Sequence, residues 1–174
     1  MVVEVSRALH IIGIKDSKLL VRGPPDVFIE AKVGVKTSEY STYLLDLVEL
    51  AYLTYLKGYE IIDVDGQSLK LGDLFSKYSK SRYDWIKFTT FLDLRSRGRV
   101  AQPGYGENVL IFEMKGQKYA TYVVEENSPL STKELLSWID NALLKGLEPL
   151  LALVDANGDV TYYTMRKYRL EDLV

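Results

Sequence analysis

The side chains that most often carry out chemistry in enzymes are scarce in this sequence. There is no cysteine, which excludes disulfides, thiolate metal sites and cysteine nucleophiles. The single histidine, His10, excludes a metal site built from several histidines. Because it lies in the apolar run 9–12, it is best interpreted as a packed or surface residue of a strand. The thirteen tyrosines are interpreted mainly as core and interface residues.

The cations that could bind phosphate form one loose cluster in the sequence. Arg95, Arg97, Arg99, Lys115 and Lys118 are candidate RNA contacts, as a small basic patch would be. The net charge of −2 gives the whole chain no basic field that would attract nucleic acid. Since Arg95 and Arg97 fall in the last turn of a predicted helix, complementing the helix dipole explains them at least as well.

The elements that must position these residues begin with a small lobe of mixed structure. Apolar runs at 19–21 and 27–29 predict short strands joined by tight turns. Ser41 or Thr42 is predicted to cap a helix that ends at Gly58. A strand over 60–64 and a helical segment over 69–78 follow.

The second half starts with a helix and continues with a strand-rich pattern. Trp85, Phe88, Leu92 and Arg95 form one helical stripe, and Gly98 ends that helix. Strands are predicted at 109–114, 119–125, 150–154 and 160–164, the last two joined by a turn at Asn157-Gly158.

A further helix is predicted between the second and third of these strands. Ser131 and Glu134 have the spacing of a capping box, and Gly146 ends the helix. Its inward face is predicted to consist of four residues, namely Leu135, Leu136, Ile139 and Leu143.

This element order predicts an α/β (α+β) fold in two lobes. Residues 1–80 form a small N-terminal α/β lobe, and residues 81–174 form a C-terminal lobe with a mixed sheet flanked by helices. The chain shows neither a signal-peptide pattern nor an apolar run long enough to span a membrane. We therefore expect a soluble, cytoplasmic protein without membrane partners.

Three stretches of the chain carry a resemblance to a known family. Residues 44–52, the stretch 91–98 followed by Gly104-Tyr105-Gly106, and residues 152–163 agree with it in order and spacing. Over 43–163 the chain resembles the archaeal tRNA-splicing endonucleases. The C-terminal lobe is then expected to have the family's nuclease-type fold.

The resemblance implies a reaction and the residues that it requires. Members that cut precursor tRNA leave 2′,3′-cyclic phosphate and 5′-hydroxyl ends. They use a tyrosine, a histidine and a lysine, with no metal or cofactor. Such a reaction needs a base for the 2′-hydroxyl, an acid for the leaving oxygen, and a cation for the phosphoryl oxygens.

At the three matching positions this sequence has other residues. Phe112 stands at the tyrosine position and Gly116 near the histidine position. Leu147, or at best Glu148, stands at the lysine position, although a small shift of the alignment would bring in Lys145. A phenyl ring has no ionisable hydroxyl, and a glutamate would repel a phosphate. The resemblance therefore implies a degenerate triad and no catalytic residue in this chain.

For such a chain the resemblance implies the role of a structural subunit. The resemblance implies an α2β2 heterotetramer, in which this chain would support a catalytic subunit that acts on precursor tRNA. The final strand pairs across a dimer interface in the family, and an acidic loop enters a basic cleft of an opposing subunit. The loop is otherwise a plain polar hairpin turn. The matching interface residues are Asp155, Asn157, Asp159, Val160, Tyr162 and Tyr163.

Two other interpretations follow from the same residues. An active endonuclease would need an unorthodox set, such as Tyr105 with Lys115 or Lys118, gathered in one cleft. A free-standing RNA-binding module would use the cluster of basic residues that begins at Arg95.

Overall fold

The chain forms two compact units, each with its own sheet. The computed structural model describes residues 7–173. One unit extends to Asp84 and the other begins at Trp85, where the sequence had suggested a boundary after residue 80. Both sheets contain parallel and antiparallel pairs and carry helices, which confirms the expected α+β class. Across the described residues, no helix has the length and apolar character needed to cross a membrane.

The first unit is built on a six-stranded sheet with the order β3-β4-β2-β1-β5-β6. β1 and β5 pair in parallel, and the other neighbours pair antiparallel. His10 is exposed on β1, which confirms it as a surface residue of a strand. The elements of this unit are β1 (Ala8–Lys15), β2 (Lys18–Arg22), α1 (Pro25–Ala31), β3 (Val35–Lys36), β4 (Thr42–Leu45), α2 (Leu47–Lys57), β5 (Glu60–Ile62), β6 (Ser68–Leu69) and α3 (Leu71–Tyr78).

Two predictions for the first unit were wrong. The run 27–29 lies in helix α1, which begins at Pro25, a residue whose fixed φ suits the first helical position. Ser41 and Thr42 do not cap a helix, since 42–45 is strand β4. Asp46 caps α2 instead: its Oδ1 accepts from the Val48 N–H at 3.0 Å, and the Glu49 carboxylate accepts from the Asp46 N–H at 2.9 Å.

The second unit has a five-stranded sheet with the order β11-β10-β9-β8-β7. β9 and β10 are parallel, as a strand–helix–strand connection through α5 requires, and the other pairs are antiparallel. Its elements are α4 (Asp84–Ser96), β7 (Gln102–Pro103), β8 (Val109–Met114), β9 (Gln117–Glu125), α5 (Thr132–Leu144), β10 (Glu148–Val154), β11 (Val160–Thr164) and a 3₁₀ turn at Leu170–Leu173.

The buried stripes of the two helices in this unit differ from the predicted ones. On α5 the buried residues are Trp138, Ile139 and Ala142, so the predicted inward positions Leu136 and Leu143 are instead 42% and 49% exposed. On α4 the stripe is also displaced, because Trp85 is 55% exposed while Ile86, Phe88 and Phe91 are buried.

Candidate functional site

One end of the second sheet collects the positions where the resemblance places a nuclease triad. The Cα partners Phe112–Tyr119 and Tyr119–Glu148 form a row across β8, β9 and β10. Phe112 is 6% exposed, and its ring stacks on Tyr119 with centroids 5.2 Å apart. This position therefore holds a packed hydrocarbon ring with no proton to transfer.

The other two positions lie at the same end of the sheet. Gly116, at φ +78°, and Lys115, at φ +53°, form the two-residue turn between β8 and β9. Leu147 directly precedes β10 and is 8% exposed in a core cluster with Val109 and Trp138. Neither position presents a titratable side chain or a cation.

Lys145, the residue that a shifted alignment would bring to the lysine position, has a different neighbour. It is the C-terminal cap of α5, and its Nζ lies 5.1 Å from the centroid of the Tyr105 ring. A cation over an aromatic face is attracted by the ring's negative face. Glu148, the β10 member of the Phe112 row, adds an exposed carboxylate rather than a positive charge.

A cavity of about 570 Å³ lies between the loop at Tyr105 and the first turns of α5. The Tyr105 hydroxyl and the Trp138 Nε1 are buried, and neither has a hydrogen-bond partner within residues 7–173. Burial raises the pKa of the Tyr105 phenol, so this group stays protonated near neutral pH and is not available as a base. Lys118 lines a separate depression together with Phe112, and Lys115 lies in the β8–β9 turn. Tyr105 and Lys118 thus do not line one cavity.

The predicted basic patch is largely engaged in holding the end of α4. The Arg95 guanidinium donates to the Ala101 carbonyl at 2.8 and 3.1 Å. Arg97 Nε donates to Asp93 Oδ2 at 2.8 Å, and this contact raises the Arg97 pKa. Arg99 is half-buried, and Lys118 is the cross-strand partner of Glu113. These contacts favour the structural interpretation of the arginines.

Strand β11 is an edge of the second sheet, because β10 is its only neighbour in the described part of the chain. Its two adjacent tyrosines face opposite sides. Tyr162 donates to Asp93 Oδ2 of α4 at 2.7 Å, and burial, followed by this hydrogen bond, raises its pKa. Tyr163 is 49% exposed beside its cross-strand partner Leu151. Of the two, Tyr163 is the one available to another surface.

The acidic turn between β10 and β11 is ordered by its first carboxylate. Asp155 Oδ1 accepts from the Asn157 N–H at 2.8 Å and the Asp159 N–H at 2.9 Å. Gly158, at φ +84°, completes the turn in a conformation that favours glycine. Asn157 and Asp159 remain exposed at the tip. The turn therefore presents Asp159 and Asn157 outward, while Asp155 holds its shape.

Two surfaces of the second unit were not foreseen from the sequence. The exposed leucines of α5 were assigned to the core because their spacing fits a helical stripe. A basic segment at 166–169 follows β11 and was not singled out, although three cations within four residues are a visible signal.

Comparisons with known proteins relate the second unit to one family of endonucleases. Residues 85–162, all within the second unit, match the family of the tRNA intron endonuclease, catalytic C-terminal domain. The chain is 32% identical over 126 residues to a tRNA-splicing endonuclease of Pyrococcus horikoshii. This matched region covers 68% of this chain and 72% of that protein.

Two further relatives carry the same name. A tRNA-splicing endonuclease of Methanococcoides burtonii is 31% identical over 137 residues, covering 73% of this chain but 38% of that protein, so the chain spans well under half of it. One of Methanococcus maripaludis is 28% identical over 134 residues, with 72% and 76% covered. The chain belongs to the tRNA-splicing endonuclease family.

Proposed function

We propose that this chain is a non-catalytic subunit of a tRNA-splicing endonuclease. It assembles with and supports a catalytic subunit that excises introns from precursor tRNA, leaving 2′,3′-cyclic phosphate and 5′-hydroxyl ends. One observation carries the proposal: the positions that the resemblance assigns to the triad hold Phe112, Gly116 and Leu147, and these residues lie at one end of the sheet.

The chemistry explains why these residues matter together. A positioned acid or base contributes about 10²- to 10⁴-fold to a proton-transfer step. A cation at the phosphoryl oxygens adds electrostatic stabilisation of the transition state. A phenyl ring, a glycine and a leucine supply neither function. A chain that lacks all three groups is expected to cut at a rate indistinguishable from the uncatalysed background.

The packing also supports a structural role for this end of the sheet. Phe112 is stacked, Leu147 is buried in the core cluster, and Gly116 has a positive φ. A lysine in place of Leu147 would bury a charge, and a histidine in place of Gly116 would be strained by the backbone. Phe112 and Leu147 are thus integrated into the core of the unit, and Gly116 fits an exposed turn.

The surfaces that face outward suit an assembly. The free edge of β11 can pair with another strand, and the exposed Tyr163 lies on it. Leu136 and Leu143 of α5 add exposed apolar area, which in a monomer would face water. The outward Asp159 and the net charge of −2 fit a basic partner surface. An α2β2 heterotetramer satisfies all of these features.

The test compares three reactions on an intron-containing precursor tRNA. This chain alone, a homologous chain with the tyrosine, histidine and lysine alone, and both together are incubated with the RNA. We expect cleavage only with both chains, or strong stimulation of the catalytic chain by this one. Cleavage by this chain alone would refute the proposal. RNA binding with no effect of the partner would favour a free-standing RNA-binding module.

A matched pair of variants tests the assembly surface. Tyr163→Ala removes an exposed ring from the β11 edge and should weaken association with the catalytic chain in size-exclusion chromatography. Tyr163→Phe keeps the ring and should associate as the wild type does. Equal association of all three proteins would place the interface elsewhere.

A further inference from the structure

A short basic segment follows β11 and carries no role in the proposal above. Arg166, Lys167 and Arg169 place three cations within four residues of a chain whose net charge is −2. Tyr168 lies among them and is 60% exposed. An aromatic ring between cations is the composition that single-stranded nucleic acid binds, since the cations meet phosphates and the ring stacks on a base.

Two contacts connect this segment to the second unit. The Met165 N–H donates to the Pro149 carbonyl at 3.1 Å, which extends the pairing of β11 with β10 by one residue. Lys167 Nζ then contacts Asp140 Oδ1 of α5 at 2.7 Å. Met165 also packs against the core cluster that contains Trp138, so the start of the segment is anchored to the second unit, and the exposed Lys167–Asp140 pair adds little to this. A segment that is already ordered loses less entropy on binding.

The outward side chains of the segment are available. Arg166 is exposed and has no ion pair within residues 7–173. Arg169 lies 3.8 Å from Glu171, but these side chains are 83% and 75% exposed, and such pairs contribute little. This contrasts with Arg97, whose guanidinium is already bound by Asp93 at 2.8 Å.

The location of the segment relates it to the degenerate triad. Pro149 is the second residue of β10, so the chain beyond Met165 passes the end of the sheet that holds Leu147 and Glu148. The end of the sheet that carries the degenerate triad therefore lies beside the cations that follow the last strand.

We propose that Arg166, Tyr168 and Arg169 form a contact site for single-stranded RNA. The two guanidinium groups bind phosphates, and the phenol ring stacks on an unpaired base. The choice of RNA as ligand rests on the proposed function. A protein ligand is disfavoured, because the partner surface implied for this chain is basic and would repel these cations.

The test measures the salt dependence of RNA binding by the full chain. A fluorescently labelled oligouridylate of about eight nucleotides serves as the probe, read by anisotropy over a series of KCl concentrations. Removing two phosphate contacts with Arg166→Gln and Arg169→Gln should lower the slope of log K against log salt by about 1.4. The control, Lys36→Gln with Lys133→Gln, removes two exposed charges elsewhere and should leave the slope unchanged.

The aromatic contact is tested separately. Tyr168→Ala should weaken binding by between about fivefold and about 150-fold without changing the slope, since stacking releases no counterions. Tyr168→Phe should bind as the wild type does. Circular dichroism melts of each variant verify that the fold is kept.

Several results would overturn this site. The first is an unchanged slope in the double arginine variant, or an equal loss of slope in the lysine control. The second is no RNA binding by the wild type at low salt. The third is that variants of residues 166–169 bind RNA normally but no longer associate with the catalytic chain. None of them depends on whether the chain can cut. The cleavage comparison can therefore fail while this site stands, and the reverse also holds.

Discussion

The hydroxyl of Tyr162 offers a quantitative test of how the second unit is held together. In the wild type it donates to Asp93 Oδ2 at 2.7 Å and links the edge strand β11 to helix α4 across 69 residues of sequence. Tyr162→Phe removes this oxygen and leaves the ring. Tyr163→Phe is the matched control, because the neighbouring side chain is 49% exposed.

The size of the effect follows from the surroundings of Asp93. A hydrogen bond to a charged group contributes about 1.5–3 kcal/mol. Asp93 keeps its contact with Arg97 and is 23% exposed, so water can replace part of the lost bond. We therefore expect the low end, a loss of about 1.5 kcal/mol, which corresponds to a fall in Tm of about 3–6 °C for a chain of this size. The control should stay within about 0.5 kcal/mol.

Thermal and urea unfolding followed by circular dichroism measure this difference in stability. The direction in which the difference changes with pH is a further test. Burial, and then Asp93, raise the pKa of Tyr162 in the folded protein. Above about pH 10 a free tyrosine loses its proton, so the unfolded wild type is favoured there. The stability that the hydroxyl contributes is thus fully present below that pH and declines above it. The gap to Tyr162→Phe should narrow accordingly.

Three outcomes would refute this reasoning. The first is a difference below about 0.5 kcal/mol at neutral pH, which would mean that the hydrogen bond adds nothing beyond solvation. The second is an equal loss in the Tyr163→Phe control. The third is a gap that widens above about pH 10, since that would reverse the sign required by a raised pKa.

Three further substitutions test other contacts by urea unfolding. Asp63→Asn should cost about 2 kcal/mol, because the buried carboxylate accepts from Lys77 and Tyr78. Burial alone would raise the pKa of Asp63, but the hydrogen bonds from Lys77 and Tyr78 outweigh burial, so its pKa is lowered in the folded protein. The stability that the carboxylate contributes should therefore vanish as the pH falls through this lowered pKa. A stability difference between wild type and Asp63→Asn that does not change with pH would contradict this. Glu49→Gln should cost about 1–3 kcal/mol, because an amide cannot accept from both backbone N–H groups that the carboxylate binds, and an unchanged midpoint would disprove it. Tyr105→Phe should be neutral or stabilising, since its buried hydroxyl has no partner within residues 7–173, whereas a loss above about 1 kcal/mol would reveal one.

Much of the second unit could be predicted because its signals are local. The Asn157-Gly158 turn, the Ser131 cap and the apolar run at 109–112 each lie within a few residues of the element that they specify. Counting from the same landmarks gave the three positions that the resemblance assigns to the triad, and this assignment stays a prediction. Family membership was predicted on these grounds, and the comparisons confirm it.

The first unit was harder because tertiary pairing decides its elements. Residues 42–45 fit a helical stripe, but pairing with β2 and β3 makes them strand β4. The helix then begins only at Leu47, after the Asp46 cap. Local propensity does not separate these outcomes, since the apolar residues satisfy either period over so short a run.

The contacts of the candidate site also escaped the sequence, for a reason of distance. The contact of Asp93 with Tyr162 spans 69 residues and leaves no local pattern, whereas the i,i+4 spacing of Asp93 and Arg97 is a local signal that the sequence analysis did not use. Arg97 therefore looked free for RNA, and Tyr162 looked free for an interface. The exposed segment 166–169 is the better candidate for phosphate contacts, but the exposure and ion pairing of its side chains are visible only in three dimensions.

The uncovered edge of β11 has a consequence for how a cell must handle this protein. Unpaired backbone groups along a strand are a template for pairing with any other strand, including that of an identical copy. In the assembly that we propose, a surplus of this chain over its partner should therefore self-associate and precipitate. Balanced synthesis of the two chains, or capture of this one as it leaves the ribosome, would protect it, and recombinant yields should rise when both are expressed together.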